Sequence, residues 1–322
     1  MSHVDRGGET RDAIRAAVRN LCAEFPPRYW RELDARHEYP EAFVQALTKT
    51  GFLAALIPPE YGGAGLGILE AATILQEINH CGANAAACHA QMYVMNTLLR
   101  HGSKEQKARY LPEIASGRLR LQAFAVTEPN SGSDTTAIET FAMRSGDRYL
   151  VNGRKIFISR VQQSDLLLLL ARTTPRAEVP KKTDGMSVFL VDLRKAAGLE
   201  VRPIRTMINH ATNELLFENV EVPRAQLIGE EGKGFSYILE AMNAERILVA
   251  AEAIGDGRWL IDKAVAYAKE RIVFGKPIGS NQGVQFPIAK AHMALSAAAL
   301  MMESAAVLLD AQQPCAAQAN MA

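Results

Sequence analysis

Two runs in this chain combine residue types and spacing that suit chemistry. The first is Phe124-Ala125-Val126-Thr127-Glu128-Pro129-Asn130-Ser131-Gly132-Ser133-Asp134, a strand that breaks into a small-residue turn rich in donors. Glycine and serine there let backbone N–H groups approach an anion closely. The second is Asn152-Gly153-Arg154-Lys155-Ile156-Phe157-Ile158-Ser159, which reads as a hairpin carrying a buried aromatic and then a hydroxyl. Together they describe the wall of a pocket for a flat, polar-edged group with a phosphate tail. A third candidate is Glu245. On a helix starting near Phe235, the residues Ile238, Ala241, Glu245 and Leu248 share one face. A carboxylate on such a stripe is costly to bury without a partner, and Arg246, the next residue, points elsewhere. Either Glu245 reaches water at the edge of the stripe, or it is a base whose pKa desolvation raises.

The elements that must position these residues fall into three blocks. From Glu9 to about Arg120 the apolar spacing is helical. Ile14, Val18, Leu21, Cys22 and Phe25 form one stripe, stopped by Pro26-Pro27; Phe43, Val44 and Leu47 form the next; Ile68, Leu69, Ala72 and Leu75 form a third. Ser103 and Gln106 are placed as a capping box for another helix. Near Leu121 the texture changes to short strands, with Asn152-Gly153 reading as a tight hairpin turn. After the Gly229–Gly234 loop the helical pattern returns: Phe235 to about Ile254, Arg258 to about Val273, and roughly Phe286 to Ala311. The expected fold is α+β: an N-terminal helical domain (1–121), a middle antiparallel β-domain (122–231) and a C-terminal helical-bundle domain (232–322). The two helical parts are expected to pack together.

Several functions are disfavoured. A formal charge of +1 gives no field for steering to nucleic acid or an anionic membrane. Pro58–Gly67 lacks the dinucleotide-binding glycine spacing, and Gly229–Gly234 lacks a Walker spacing. Cys81 and Cys88 lie near His80 and His89, yet the spacing fits no common zinc pattern, so no metal is expected and buried helix thiols are the plainer reading. Thiols without disulfides suit a cytoplasmic location. Pure apolar runs such as Leu166–Ala171 are too short to span a bilayer, and the acidic N-terminus lacks the apolar stretch of a targeting signal.

The runs at Ile57–Gly63, Val126–Asp134, Lys155–Ser159 and Glu270–Ile278 together resemble the acyl-CoA dehydrogenase family, from about Ala13 to Ala322. The resemblance implies FAD as cofactor. Phe124, Val126 and Thr127 would contact its ring system. Gly132 and Ser133 would lie where its pyrophosphate meets the substrate's CoA arm. Phe157, where the family often has tryptophan, would flank the ring beside Ile158. Ser159, where threonine is common, would reach its N5. Arg271, Phe274 and Gln282 would reach the ADP half of a FAD held mainly by a neighbouring subunit, as in a homotetramer or dimer. Asn243 and Arg246 would contact substrate, and Glu245 matches the base position of isovaleryl- and long-chain-type members.

The implied reaction is α,β-dehydrogenation of an acyl-CoA thioester, with electrons passed to an electron-transfer flavoprotein. Asn243 departs from the family, which commonly has an acid there. Family chains also continue beyond Ala322, through a glycine-rich segment and an alternative base position. A chain ending there is expected to expose an apolar helical face and hold FAD weakly. Two rivals stand beside this reading: a flavin oxidase or monooxygenase of the same fold acting on a non-thioester, and a non-catalytic binding protein descended from a dehydrogenase.

Overall fold

The computed structural model describes residues 6–322, with side chains from Gly8 onward. Helices α1 (Arg6–Ala23), α2 (Pro27–Arg36), α3 (Glu41–Lys49), α4 (Ile68–His80), α5 (Ala90–His101) and α6 (Lys104–Ala115) come first. Strands β1 (Leu121–Ala125), β2 (Phe141–Ser145), β3 (Arg148–Ser159), β4 (Leu166–Arg172), β5 (Met186–Asp192), β6 (Leu199–Pro203), β7 (Thr212–Pro223) and β8 (Leu227–Ile228) follow. Helix α7 (Gly234–Glu270), the hairpin β9 (Ile272–Val273) and β10 (Lys276–Pro277), and helices α8 (Gln282–Asp310) and α9 (Ala316–Met321) complete the chain. The fold is α+β, with helical, β and helical segments in that order.

The chain divides into two compact units. The first holds the described residues up to Glu32, Leu66–Ala85 and Asn243–Ala322; the second holds Leu33–Gly65 and Ala86–Met242. Helices from both ends of the chain therefore do pack together, in the first unit. The N-terminal helices are shared out, because α5 and α6 lie with the sheet.

In the first unit, α4 is the hub. Its N-terminus is capped from far along the chain: the Ile68 and Leu69 N–H groups donate to the Asp310 carboxylate at 2.7 and 3.1 Å. A carboxylate at that end satisfies orphan donors and complements the helix dipole. Arg19 of α1 donates to Glu77 of α4 at 2.5 Å, and His80 meets Asp262 of α7 at 2.9 Å. The spacing had implied a break at Gly255-Asp256-Gly257, but α7 runs unbroken for 37 residues. Gly255 is there for close approach: a Cβ on it would run into the Gln76 carbonyl oxygen of α4. Contact between helices, not flexibility, is why this glycine sits mid-helix. The last expected turn of this helix is instead the β9–β10 hairpin, whose turn residues Phe274 and Gly275 are both left-handed, with φ of 51° and 77°.

Helix α8 is longer and more apolar than the short runs of the sequence suggest. Its 29 residues have a mean hydropathy of 1.5 over their most apolar window, so by length and composition it is long enough to cross a membrane. Its longest uninterrupted apolar runs, such as Ala297–Met302, are themselves short, because polar residues such as Ser296, Glu303 and Ser304 break the pattern.

In the second unit an eight-stranded sheet runs β6-β7-β3-β2-β4-β5-β8, with β1 added on β4. It is not purely antiparallel: β1 runs parallel to β4, with Phe124 opposite Leu168 and Ala125 opposite Leu169. Strand β4 reads as an unbroken apolar run because Leu166–Ala171 is wholly buried, covered on both faces. Tyr149, Phe189 and Phe217 are the large side chains of this core, with Tyr149 and Phe189 edge to face at 4.8 Å. Asn152-Gly153 is not the hairpin turn. Strand β3 passes straight through it, and the turn falls at Gly146, φ 64°, where Ser145 pairs with Arg148. Asn152 instead exchanges hydrogen bonds with Asn219 of β7 across an irregular pairing. The capping box stands as read: Gln106 N–H donates to the Ser103 hydroxyl and Ser103 N–H to the Gln106 side chain.

The two glycines of α7 separate packing from propensity. Gly255→Ala is expected to lower stability by about 1–3 kcal/mol through overpacking against backbone. Gly257→Ala meets only the tip of the Leu295 side chain, 2.7 Å away and able to move. There the helix-propensity gain of about 1 kcal/mol offsets the contact, leaving stability near the parent value. Denaturant unfolding of both variants distinguishes the cases.

Candidate functional site

The two chemistry-bearing runs meet in the second unit. The Ile156 N–H donates to the Thr127 carbonyl at 2.9 Å. The Lys155 ammonium donates to the Val126 carbonyl at 2.8 Å and to the Glu128 carboxylate at 2.9 Å. Lys155 is fully buried, and Glu128 is 6% exposed. Glu128 also accepts from the N–H groups of Glu139 at 2.6 Å and Thr140 at 3.0 Å. Burial pushes the Lys155 ammonium down to about 8, against the pull of Glu128. Burial alone would raise the Glu128 carboxyl, but Lys155 and the backbone donors hold it below the usual carboxylate range. The lowered Glu128 favours its carboxylate, and Lys155, although lowered, still titrates above neutral pH, so the pair is charged at pH 7.

Just after Lys155, β3 bulges. Lys155 faces Leu215 and Ile158 faces Asn213, so three steps on β3 match two on β7. Phe157 takes up the extra residue in the left-handed region, φ 60°. That conformation is strained for a bulky side chain, and such outliers cluster at functional sites. The bulge returns Ile158 to the core, 2% exposed, and turns Phe157 out to 62% exposure. Phe157 is thus exposed, not the buried aromatic expected of this hairpin run.

Ser159 is half-buried at the strand end. Its oxygen accepts from the Asn209 side-chain amide at 2.8 Å, leaving the hydroxyl proton to be donated elsewhere. Asn209 and Arg160 are also left-handed, φ 55° and 60°. The Asn209 carbonyl is held by the hydroxyls of Thr206 and Thr212, and the next residue, His210, meets Asp34 at 3.0 Å and stacks on His37. Arg160 is buried and donates to the Ala86 carbonyl.

The donor-rich turn is equally ordered. Glu128 and Ser131 exchange backbone hydrogen bonds, both 3.0 Å, and the Ser131 hydroxyl donates to the Asp134 carbonyl at 2.6 Å. Gly132 and Ser133 are exposed, and their N–H groups find no acceptor among the described residues. A Cβ on Gly132 would meet nothing within 4 Å. Buried Arg172 braces the segment behind, donating to the carbonyls of Thr136 and Ile138 at 2.7 and 3.0 Å. Open space, outward N–H groups, an outward aromatic and a hydroxyl with a proton to give fit a ring system with an anionic tail.

The remaining candidates form two other groups. Asn243, Glu245 and Arg246 are half-buried on α7, with Arg246 donating to the Asn243 side chain at 3.0 Å. Ile238, Ala241 and Leu248 of the same stripe are at most 2% exposed, which puts Glu245 at its edge. Arg271 and Phe274 are exposed on the β9–β10 hairpin and Gln282 at the start of α8, with Phe274 wholly exposed. A cavity of about 300 Å³ lies at the other end of β3 and β7, beside Arg148 and Pro223, and holds none of these residues.

Comparison with known proteins shows the family. Residues 8–118 match the acyl-CoA dehydrogenase N-terminal domain, 123–220 the middle domain and 232–322 the C-terminal domain. The chain belongs to the acyl-CoA dehydrogenase family. Among relatives of this dehydrogenase-family chain, the cyclohex-1-ene-1-carbonyl-CoA dehydrogenase of Syntrophus aciditrophicus is 37% identical over 94% of this chain and 73% of its own. The acryloyl-CoA reductase (NADH) of Anaerotignum propionicum is 38% identical over 88% and 72%. A solved structure described as PigA with FAD and proline superposes with a TM-score of 0.90 at 26% identity, covering all of this chain and 82% of that one.

Sequence reasoning passed over the Lys155–Glu128 pair, Asn209, Arg160 and Arg172. The signal for the pair was in plain view: a lysine inside an apolar strand pattern, with a glutamate directly after Thr127. Nothing in the local sequence marks Asn209 as the partner of Ser159.

Lys155→Met should cost about 3–5 kcal/mol, because it strands a buried carboxylate. Adding Glu128→Gln should restore part of that loss, since it removes the stranded charge and its amide oxygen still accepts one of the two backbone N–H groups. The pH sign follows from the lowered Glu128 pKa. Its contribution is fully present above the unfolded value of 4.5 and fades as pH falls through the lower folded value. Unfolding curves across acid pH should therefore be steeper for the parent than for Glu128→Gln.

Proposed function

We propose that this chain catalyses the FAD-dependent α,β-dehydrogenation of an acyl-CoA thioester, with Glu245 as the base. The observation that carries this reading is the bulge joined to the donor turn. It turns Phe157 outward and leaves the Ser159 hydroxyl proton free to donate, while the exposed Gly132 and Ser133 carry N–H groups with no acceptor among the described residues. Family membership and relatives named for CoA thioesters support it.

FAD is the cofactor of this family, and bound here it would supply the acceptor for the substrate's β-hydrogen. The protein's own residues do the rest. The Gly132 and Ser133 N–H groups and the Ser133 hydroxyl hold phosphate oxygens. Phe157 covers the ring system and keeps water from it. The Ser159 hydroxyl donates a hydrogen bond where negative charge gathers. Glu245 takes the α-proton of a thioester whose carbonyl is polarised, and Arg246, tied to Asn243, orients the substrate's CoA arm. The exposed Arg271, Phe274 and Gln282 suit contact with FAD in a neighbouring subunit, within a homotetramer or dimer. An electron-transfer flavoprotein accepts the electrons, and four thiols suit a reducing cytoplasm.

A second reading runs the same machinery backward, as an enoyl-CoA reductase. A relative named as an acryloyl-CoA reductase favours including it. Reoxidation of reduced flavin by an enoyl-CoA faster than reduction by the acyl-CoA would establish that direction.

Glu245→Gln should keep fold, flavin and thioester binding. It should slow anaerobic flavin bleaching by acyl-CoA at least ~10²-fold, the usual loss on removing a general base. Near-parent bleaching in that variant would place the base elsewhere. Ser159→Ala, which removes the donor and keeps the base, should slow bleaching without moving its acid limb on a pH–rate profile.

A further inference from the structure

The strained backbone of this chain gathers at one place. Among the described residues seven that are not glycine have positive φ, and four of them, His37, Phe157, Arg160 and Asn209, lie on one path of contacts around Ser159. Such conformations persist only where the surroundings over-determine them, and they cluster at functional sites. The path starts at the end of α2. His37 follows the last residue of that helix with φ of 56°, and the Glu38 N–H donates to the Leu33 carbonyl at 2.9 Å, closing a left-handed helix cap. Glycine is the favoured residue at such a cap. Here the cap carries an imidazole, which lies flat on His210 with centroids 3.9 Å apart and planes 11° from parallel. His210 also meets the Asp34 carboxylate at 3.0 Å, so the end of α2 grips it twice. From Leu33 onward these residues all lie in the second unit.

His210 belongs to the loop between β6 and β7. Backbone bonds close the base of that loop, from the Ile204 N–H to the Thr212 carbonyl at 2.8 Å and from the Arg160 N–H to the Ala211 carbonyl at 2.7 Å. Its tip is not packed, since Met207 and Ile208 are 95% and 77% exposed. The grip of α2 on His210 supplies the hold that apolar packing does not. The residue before His210 is Asn209, left-handed at φ 55°, with its carbonyl held by the hydroxyls of Thr206 and Thr212. Its side-chain amide donates to the Ser159 oxygen at 2.8 Å.

We propose that Asn209 and His37 are positioning residues for the Ser159 hydroxyl, an inference that rests on the reading of Ser159 as the donor to FAD. Asn209 directs the hydroxyl proton, and His37, through its stack on His210, keeps Asn209 in place. A hydroxyl has one proton to give and turns about its C–O bond until partners claim its lone pairs. The Asn209 amide claims one, so the proton points away from Asn209. A donor aimed in advance needs no reorganisation when negative charge develops in front of it. The imidazole at the α2 cap is then explained by what it touches, since the cap itself would be better served by glycine.

The test uses the intact chain loaded with FAD. Two quantities are read: the midpoint potential of the bound flavin, by equilibration with an indicator dye, and anaerobic bleaching by whichever of butyryl-, isobutyryl- and octanoyl-CoA reduces the parent fastest. A donor aimed at the ring favours the reduced, more negative flavin, so Ser159→Ala should lower the potential and slow bleaching. Asn209→Asp tolerates the same left-handed backbone, yet its carboxylate only accepts and turns the Ser159 proton toward itself. It should lower the potential and slow bleaching on the order of tenfold, a coupling typical of groups in contact. In the Ser159→Ala background the same change should lose most of its effect on both readouts. His37→Gly suits the α2 cap, so the denaturation midpoint should be kept while potential and bleaching shift in the direction of Ser159→Ala. His37→Phe, which keeps a stacking ring, should hold both near the parent. Parent-like behaviour of Asn209→Asp or of His37→Gly would overturn the proposal and leave the donor reading intact, as would an equal effect of Asn209→Asp with and without Ser159. Parent-like potential and bleaching in Ser159→Ala would overturn the donor reading and the proposal together.

Discussion

The buried pair of Lys155 and Glu128 is the interaction on which the site depends. Neither charge could stay in that interior alone, since the penalty for an unpaired buried ion is several kcal/mol. Their mutual attraction does not by itself make the fold more stable than two well-packed apolar residues would. What the pair achieves is placement. Glu128 gathers the backbone donors of Glu139 and Thr140, and Lys155 gathers the Val126 carbonyl, so three separate segments are fixed about one point. An apolar substitute would leave those backbone groups without partners, and each is costly to bury unpaired.

The bulge follows from that anchor. Lys155 must point inward, and Ile158 must also point inward to fill the core. Strand alternation cannot satisfy both across three steps, because successive side chains face opposite sides. One residue has to be accommodated outside the alternation, and Phe157 is that residue, with its left-handed backbone. The strain is confined to a short stretch closed by Asn209 and Arg160, which hold the Ser159 end through side-chain hydrogen bonds. The outward aromatic and the oriented hydroxyl are two consequences of a single packing conflict.

This explains what the sequence disclosed and what it withheld. Helices α1, α3 and α4 were legible because their apolar residues recur at helical spacing and nothing tertiary contradicts them. The Ser103–Gln106 box was legible because capping is local. The places that misled are those where a distant partner decides. Gly255 resembles a helix break until α4 is seen passing beside it. Asn152-Gly153 resembles a hairpin turn until Asn219 is seen opposite. The parallel pairing of β1 with β4 joins segments some forty residues apart and leaves no local trace. In the site, Thr127, Phe157 and Ser159 were nameable by type and motif, but Asn209 and Arg172 act through contacts no short window contains.

The case for a dehydrogenase over an oxidase of the same fold rests on a different part of the chain from the cofactor wall. The bulge and the donor turn serve any chemistry that needs a shielded ring and a hydrogen-bond donor beside it, so they cannot separate the two. The discriminating group is the carboxylate on α7. A thioester α-proton is weakly acidic, and its removal needs a base held out of bulk water with the substrate fixed beside it. Glu245 meets the first condition in part: it sits between the buried Ala244 and Leu248 faces while remaining half-exposed. The next residue, Arg246, has its guanidinium engaged by the Asn243 side chain. On the proposed reading, this half-exposed carboxylate at the edge of an apolar stripe is the group that takes the α-proton, a step that an oxidase acting on a non-thioester does not require.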